Sequence, residues 1–186
     1  AAREAWTRAV EVYDRTRQKA REEKDADHFW YYGSVVHEIL GDLPKAEEIY
    51  KTGLDLNQSH VGILASLVNL FLEKRDTVSR QKKSGSESDE RALASAEAWK
   101  AYRKAQEVMR NQLTTDETAG THVQLGELHL AMEEYGDAER ELTTAYDMDK
   151  ELTAAYVDLG VLFTRKEDFS KAVHYFEESV KRNPDD

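Results

Sequence analysis

The 186-residue chain contains no cysteine, which excludes disulfides and thiolate metal sites. Proline is nearly absent, with two residues, and glycine supplies nine; so few backbone breakers leave room for long uninterrupted helices. No stretch alternates apolar and polar residues over more than a few positions, so a sheet is not expected. The longest mainly apolar run, Val61 to Leu72, falls far short of a bilayer span and contains Ser66 and Asn69. It reads as a buried helix. The N-terminus lacks a basic stretch followed by an apolar run, so no secretory signal is visible. Positive charge is scarce as well: 26 Lys and Arg against 37 Asp and Glu give a formal net charge of −11. Nucleic acid and anionic membrane surfaces both need a concentrated positive face. Neither nucleic-acid binding nor direct membrane insertion is therefore expected, and a cytoplasmic location fits these absences.

Apolar residues make up 40% and charged residues 34%, the balance of a helical protein with wide solvated faces. The sequence also repeats itself at an interval of 34 residues. Tyr156, Leu159, Gly160, Phe163, Ala172, Phe176 and Pro184 are matched one interval earlier by His122, Leu125, Gly126, His129, Ala138, Leu142 and Lys150. The Leu-Gly pair returns at an unchanged spacing, and so does the alanine twelve residues after the glycine. A fixed period of this length marks stacked helical units that share a core. Tyr156, Leu159 and Phe163 fall on one helical stripe. Gly160 and Ala172 are small where paired helices must approach closely; bulk at such a contact costs about 1–3 kcal/mol through overpacking. Phe176 fills the space between units, and Asn183-Pro184 stops the second helix.

An aromatic, Leu-Gly, an aromatic, an alanine, an aromatic, a small residue and a proline, in that order over 34 positions, resemble the tetratricopeptide repeat. Val180 stands where that pattern usually has alanine. Two earlier units resemble it less closely. In the first, Trp30, Gly33-Ser34, Ala46, Tyr50 and Gly53 follow the pattern, but Gly33 to Ala46 is one residue too long. Either Ser34 takes the glycine's role or the turn is longer. In the second, Leu64, Leu67, Val68 and Phe71 precede Ala98, Tyr102 and Ala105, with about 18 residues inserted between the helices. Trp6, Ala9, Val10, Tyr13 and Thr16 form a leading helical stripe. The chain opens at Ala1 inside this helical pattern, so we expect a piece of a longer protein.

The resemblance implies an all-α, right-handed superhelical solenoid of antiparallel helix hairpins with about nine helices. The expected layout is a single domain over 1–186: a leading helix over 1–26, then repeats over 27–59, 60–112, 119–152 and 153–186. Thr114-Thr115-Asp116-Glu117 supplies a Thr-x-x-Glu capping box for the third pair. The inserted segment, about 75–91, is polar and serine-rich, the composition of a flexible loop. Ser84, Ser86 and Ser88 make it a candidate regulatory loop, because a phosphate there would add charge beside Lys82 and Lys83.

The resemblance further implies a concave groove lined by the first helices of the pairs. In this register its candidates are Tyr31, Tyr32, Val35 and Ile39, then Ala65, Asn69 and Leu72. They continue with Val123, Gln124 and Glu127, then Val157, Asp158 and Arg165. Such a lining suits a helical or extended segment of a partner protein, with a basic residue against its acids. Within the aromatic run His28 to Tyr32, one or two rings are expected to face outward, since a single helix cannot bury them all. Some relatives clamp the acidic C-terminal tails of chaperones with lysine, asparagine and arginine. Tyr31, Val35, Ser66, Gly120 and Gln124 stand at the matching positions and supply no paired cations, so chaperone-tail binding is not expected.

No Gly-rich phosphate loop, nucleophile motif or cofactor signature is present, and no cofactor is expected. His37-Glu38 lacks the second histidine of a zinc-protease motif. His122 and His129, two helical turns apart, occupy positions where the repeat places large packing residues, so no metal site is expected. The residues point to a non-enzymatic scaffold or adaptor that holds a protein or peptide. The alternative is an interaction or self-association arm of a larger protein that carries a separate catalytic domain.

Overall fold

The structure, a computed structural model, describes residues 2–80 and 87–183. Among them are nine α-helices and no strand. Short polar residues set several helix starts by accepting a hydrogen bond from an otherwise unpaired N–H in the first turn. Asp25 accepts from His28 N at 3.0 Å, Asp42 from Lys45 N at 3.1 Å and Asp168 from Lys171 N at 3.2 Å. Pro44 sits in the first turn of its helix, where a missing N–H costs little.

The helices group into two compact units, residues 1–105 and 106–186. The first holds α1 (Ala2–Glu22), α2 (Ala26–Ser34), α3 (Leu43–Leu56), α4 (Val61–Arg80) and most of α5 (Glu87–Thr115). Its core includes Phe29, Val36, Tyr50, Ile63, Leu67 and Ala98. The second holds the end of α5 with α6 (Ala119–Ala131), α7 (Tyr135–Met148), α8 (Thr153–Arg165) and α9 (Phe169–Arg182). Ala138, Leu142, Leu159, Leu162, Phe163 and Ala172 form its main core cluster.

Close approach at glycine fixes three of the hairpins. A Cβ on Gly160 would fall 2.5 Å from the Phe176 ring, one on Gly126 2.5 Å from Leu142, and one on Gly33 2.3 Å from the Tyr50 ring. These distances settle the register of the first hairpin: Gly33, not Ser34, is its contact glycine. The extra residue is absorbed further on, where α2 continues as a π-helical turn over Val35–Leu40. A π turn carries one residue more than the α-turn it replaces. The closing bonds count it. Asp168 N reaches back five residues to Phe163 O and Glu134 N five to His129 O, whereas Asp42 N reaches back six to Val36 O.

Several expectations are corrected. α4 runs to Arg80 and α5 begins at Glu87, so both flanks of the expected 75–91 loop are helical. Val78, inside that segment, lines one recess with Leu93 and Ala94 just beyond it, an apolar contact that the serine-rich composition obscures. Ser84 and Ser86 lie outside the described residues, as does Pro184. Thr114 and Thr115 still belong to α5; Thr118 caps α6, accepting from Thr121 N at 3.2 Å. In α9 the small buried position belongs to Ser179, while Val180 is 57% exposed. Ser179 lies 34 residues after the buried Ala145, so the alanine's place is kept by another small residue.

Candidate functional site

In the first unit the open face of α2 and α4 is set by Trp30. Its indole N–H donates to Ser66 Oγ at 3.2 Å, and its ring lies where a Cβ on Gly62 would come within 2.7 Å. A glycine on α4 thus lets α2 come close, and Tyr31, next along the helix, points outward. Tyr31 is 54% exposed and Ile39 40% exposed. Val35, Ala65 and Leu72 are half-buried and Asn69 is exposed. Tyr32 does not belong with them. It directly precedes the contact glycine, as Leu125 and Leu159 do, and is 2% exposed. Its ring stacks on Tyr13 at 5.3 Å and its hydroxyl donates to Asp14 at 2.6 Å. Burial and the Asp14 carboxylate raise its pKa well above the usual phenol range. Of the aromatic run His28 to Tyr32, only Tyr31 is exposed.

In the second unit Gln124, Glu127 and Arg165 are exposed, as is Val157. Val123 is withdrawn from the candidate face. It packs with Ala145 of α7 and Ala155 of α8, a neighbour that Val157, one period later, does not have within the unit. Asp158 is half-buried, and its Oδ2 is enclosed without a hydrogen-bond partner among the described residues. Burial first, then repulsion from Glu127, pushes its pKa up to about 7. Glu127 keeps more than a third of its surface open, yet neighbouring atoms crowd its carboxylate, and this desolvation raises its pKa too. The two acids are 31 residues apart, one period less about one helical turn. That spacing is legible in the sequence; the enclosure of Asp158 is not.

The buried histidines face separate carboxylates. His122 Nδ1 lies 2.8 Å from Glu141 and its Nε2 3.2 Å from Glu117; His129 Nδ1 lies 3.0 Å from Glu134. His129, Glu134 and Asp137 bring potential ligand atoms within 4.8 Å of one another, a grouping across a helix end that sequence spacing misses. Asp137 is already paired with Arg140, which meets its charge without an ion.

A family model for the tetratricopeptide repeat matches residues 123–186. That match takes in most of α6 and all of α7, α8 and α9. Solved structures extend the tetratricopeptide fold to the rest of the chain. A thermophilic tetratricopeptide-repeat protein, TTC0263 of Thermus thermophilus, aligns with a TM-score of 0.68 at 15% identity, over 97% of this chain and 84% of that one. The MamA RS-1 ArsTM double mutant aligns with a TM-score of 0.53 at 18% identity, over 98% and 88%. A segment of MamA from Desulfovibrio magneticus RS-1 gives 0.50 at 16% identity, over 98% and 95%. These identities establish the shared fold alone. No curated protein matches the chain significantly. Among the described residues, no helix is long and apolar enough to cross a membrane.

Proposed function

We propose that this chain is a protein-interaction module, a scaffold or adaptor, that holds a helical or extended partner segment against the open faces of its first helices. The observation that carries this reading is the pairing of exposed apolar side chains with desolvated acids on these faces. Tyr31 and Ile39 stand out from α2, and Val157 stands beside Asp158 on α8. Rigid, exposed aromatics are favoured interface anchors, and an enclosed carboxylate oxygen without a donor favours a cationic side chain. The preferred segment is therefore apolar with a Lys or Arg. The face residues are Tyr31, Val35, Ile39, Ala65, Asn69 and Leu72 in one unit, and Gln124, Glu127, Val157, Asp158 and Arg165 in the other. Chaperone C-terminal tails do not suit these faces, because an acidic tail would meet Glu127 and Asp158.

Binding rather than catalysis is supported by the repeat fold, and the cysteine-free composition fits a cytosolic setting. Regulation through the α4–α5 connection belongs to the same reading. Its candidates are Ser84, Ser86 and Ser88, since a phosphate there would add charge beside Lys82 and Lys83.

The test is partner capture by affinity purification with quantitative mass spectrometry. Tyr31→Ala and Val157→Arg each reduce capture of the same partner at least tenfold while the helical circular-dichroism signal persists. Unchanged capture by both variants overturns the assignment of these faces.

A further inference from the structure

The outer side of the first unit holds a cleft of about 550 Å³ between α3 and α5. Leu54, Leu64, Leu67, Phe71 and Ala101 supply its apolar lining. The second unit shows what fills the corresponding space when a hairpin is complete. Ala101 is the third residue after the buried Ala98, and Tyr175 is the third after the buried Ala172. Leu54 directly follows Gly53, and Tyr146 directly follows Ala145. Leu64 stands three residues before Leu67, as Tyr156 stands three before Leu159. At all three matched places the second unit has a tyrosine and the first has a smaller aliphatic side chain.

The second unit's rings occupy that space. Tyr175 stacks on Phe163 with centroids 5.5 Å apart and the planes 2° from parallel. Tyr146 meets Tyr156 at 5.2 Å and Tyr175 at 6.3 Å, both edge to face. Lysines close over them: Lys150 sits 3.5 Å from the Tyr146 centroid and Lys171 4.7 Å from that of Phe163. The first unit keeps the phenylalanine, Phe71, and rims the cleft with Lys51, Lys100 and Lys104. Asp55 and Glu97 also line it, so the rim carries three positive groups against two negative in a chain whose net charge is −11. Lys51 is paired with Glu47 at 2.5 Å and Lys100 with Glu97 at 4.0 Å. A second recess of about 350 Å³ shares Phe71 and Glu97 and runs on to Leu93, which is 63% exposed.

We infer that this outer cleft is a second binding site, separate from the faces of the first helices, and that it takes an aromatic side chain carried on an acidic partner segment. The guest ring supplies what Tyr175 supplies in the other unit: a partner for the phenylalanine that both units keep, beneath basic side chains. Acids flanking that ring meet the lysine rim. Aromatic stacking and cation–π contact are the interactions the complete hairpin already uses.

The probe is the peptide acetyl-Glu-Glu-Trp-Glu-Glu-amide, titrated into the full chain and followed by amide shifts in two-dimensional NMR. The expected result is saturable shifts clustered on α3, α4 and α5 over residues 51–104. Ala101→Tyr fills the cleft from within and abolishes them. Lys100→Glu combined with Lys104→Glu, a change confined to the rim, weakens binding at least tenfold. A peptide with lysines in place of the glutamates binds at least tenfold more weakly than the acidic one. Tyr31→Ala leaves all of this unchanged, which separates the cleft from the inner face. Absence of saturable shifts, shifts confined to other helices, equal binding of the basic peptide, or undiminished binding by the rim variant each overturns the proposal. The rim variant decides the matter if Ala101→Tyr fails to fold.

Discussion

The two units reach the same glycine contact with different numbers of residues. In the second, twelve residues separate Gly126 from Ala138 and Gly160 from Ala172; in the first, thirteen separate Gly33 from Ala46. The surplus is confined to the π turn over Val35–Leu40, after the contact glycine and before the left-handed residue that ends the helix. The difference shows what the hairpin holds fixed. Helix length is negotiable at the turn, but the distance from glycine to the facing side chain is not.

Single-residue deletions break this comparison most sharply. Removing Ile39, which is 40% exposed in the π turn, returns the first hairpin to the regular spacing and changes stability by less than about 1 kcal/mol. Removing Val161 rotates Leu162 and Phe163, both buried, by about 100° relative to Gly160. That costs about 4 kcal/mol or more and erases the cooperative melt of the second unit. Thermal denaturation followed by circular dichroism checks both. Equal losses from the two deletions would show that the π turn is not slack.

The same contrast explains what the sequence reveals. Leu-Gly and alanine spacings make the last two hairpins and the helical class legible, because overpacking restricts those positions to small residues. The first hairpin leaves Ser34 competing with Gly33, since spacing alone does not locate an inserted residue; the ring of Tyr50 against Gly33 decides it. That same ambiguity puts Tyr32 on the binding face, and its place before the contact glycine returns it to the core. Val180 stands in for the small position only because it is one residue out of register with Ser179. The serine-rich composition of 75–91 hides two helix ends. Asp158 reads from spacing as an ordinary groove acid. Its enclosure depends on how α6 and α8 meet, which no local pattern records.

A smaller effect separates the units by pH. Asp158 directly precedes the packing Leu159, and the matching place in the first hairpin, before Tyr32, is the uncharged Tyr31. The Asp158 carboxyl has its pKa raised from the ordinary 3.8 to about 7 in the folded chain. The folded state therefore binds the proton more tightly, and stability falls as pH rises from about 4 to about 7, then levels. Asp158→Asn removes the cost of the buried charge. Its melting temperature exceeds that of the parent at pH 8 by about 2–4 °C for each kcal/mol relieved, and the two converge near pH 4. A melting difference independent of pH would remove the carboxylate's desolvation from the account of this face.

The smallest effect lies at the turns. Three of the hairpins end their first helix with a residue in the left-handed region: Gly41 at φ 70° in the first unit, Glu133 at 61° and Glu167 at 60° in the second. Glycine enters this region without the Cβ clash that costs other residues roughly 1–2 kcal/mol. Glu167 is exposed, and its N–H donates to Thr164 O at 3.1 Å, a backbone bond that glycine retains. Glu167→Gly should therefore stabilise the second unit by up to about 1 kcal/mol, the strain relieved being partly offset by the freer unfolded chain. Gly41→Ala should destabilise the first unit by a similar amount, although nothing lies within 4 Å of the added Cβ, because backbone strain alone opposes it. Opposite signs in the two melts tie the effect to the turn conformation. The same sign in both would show that the two units end their helices by different rules.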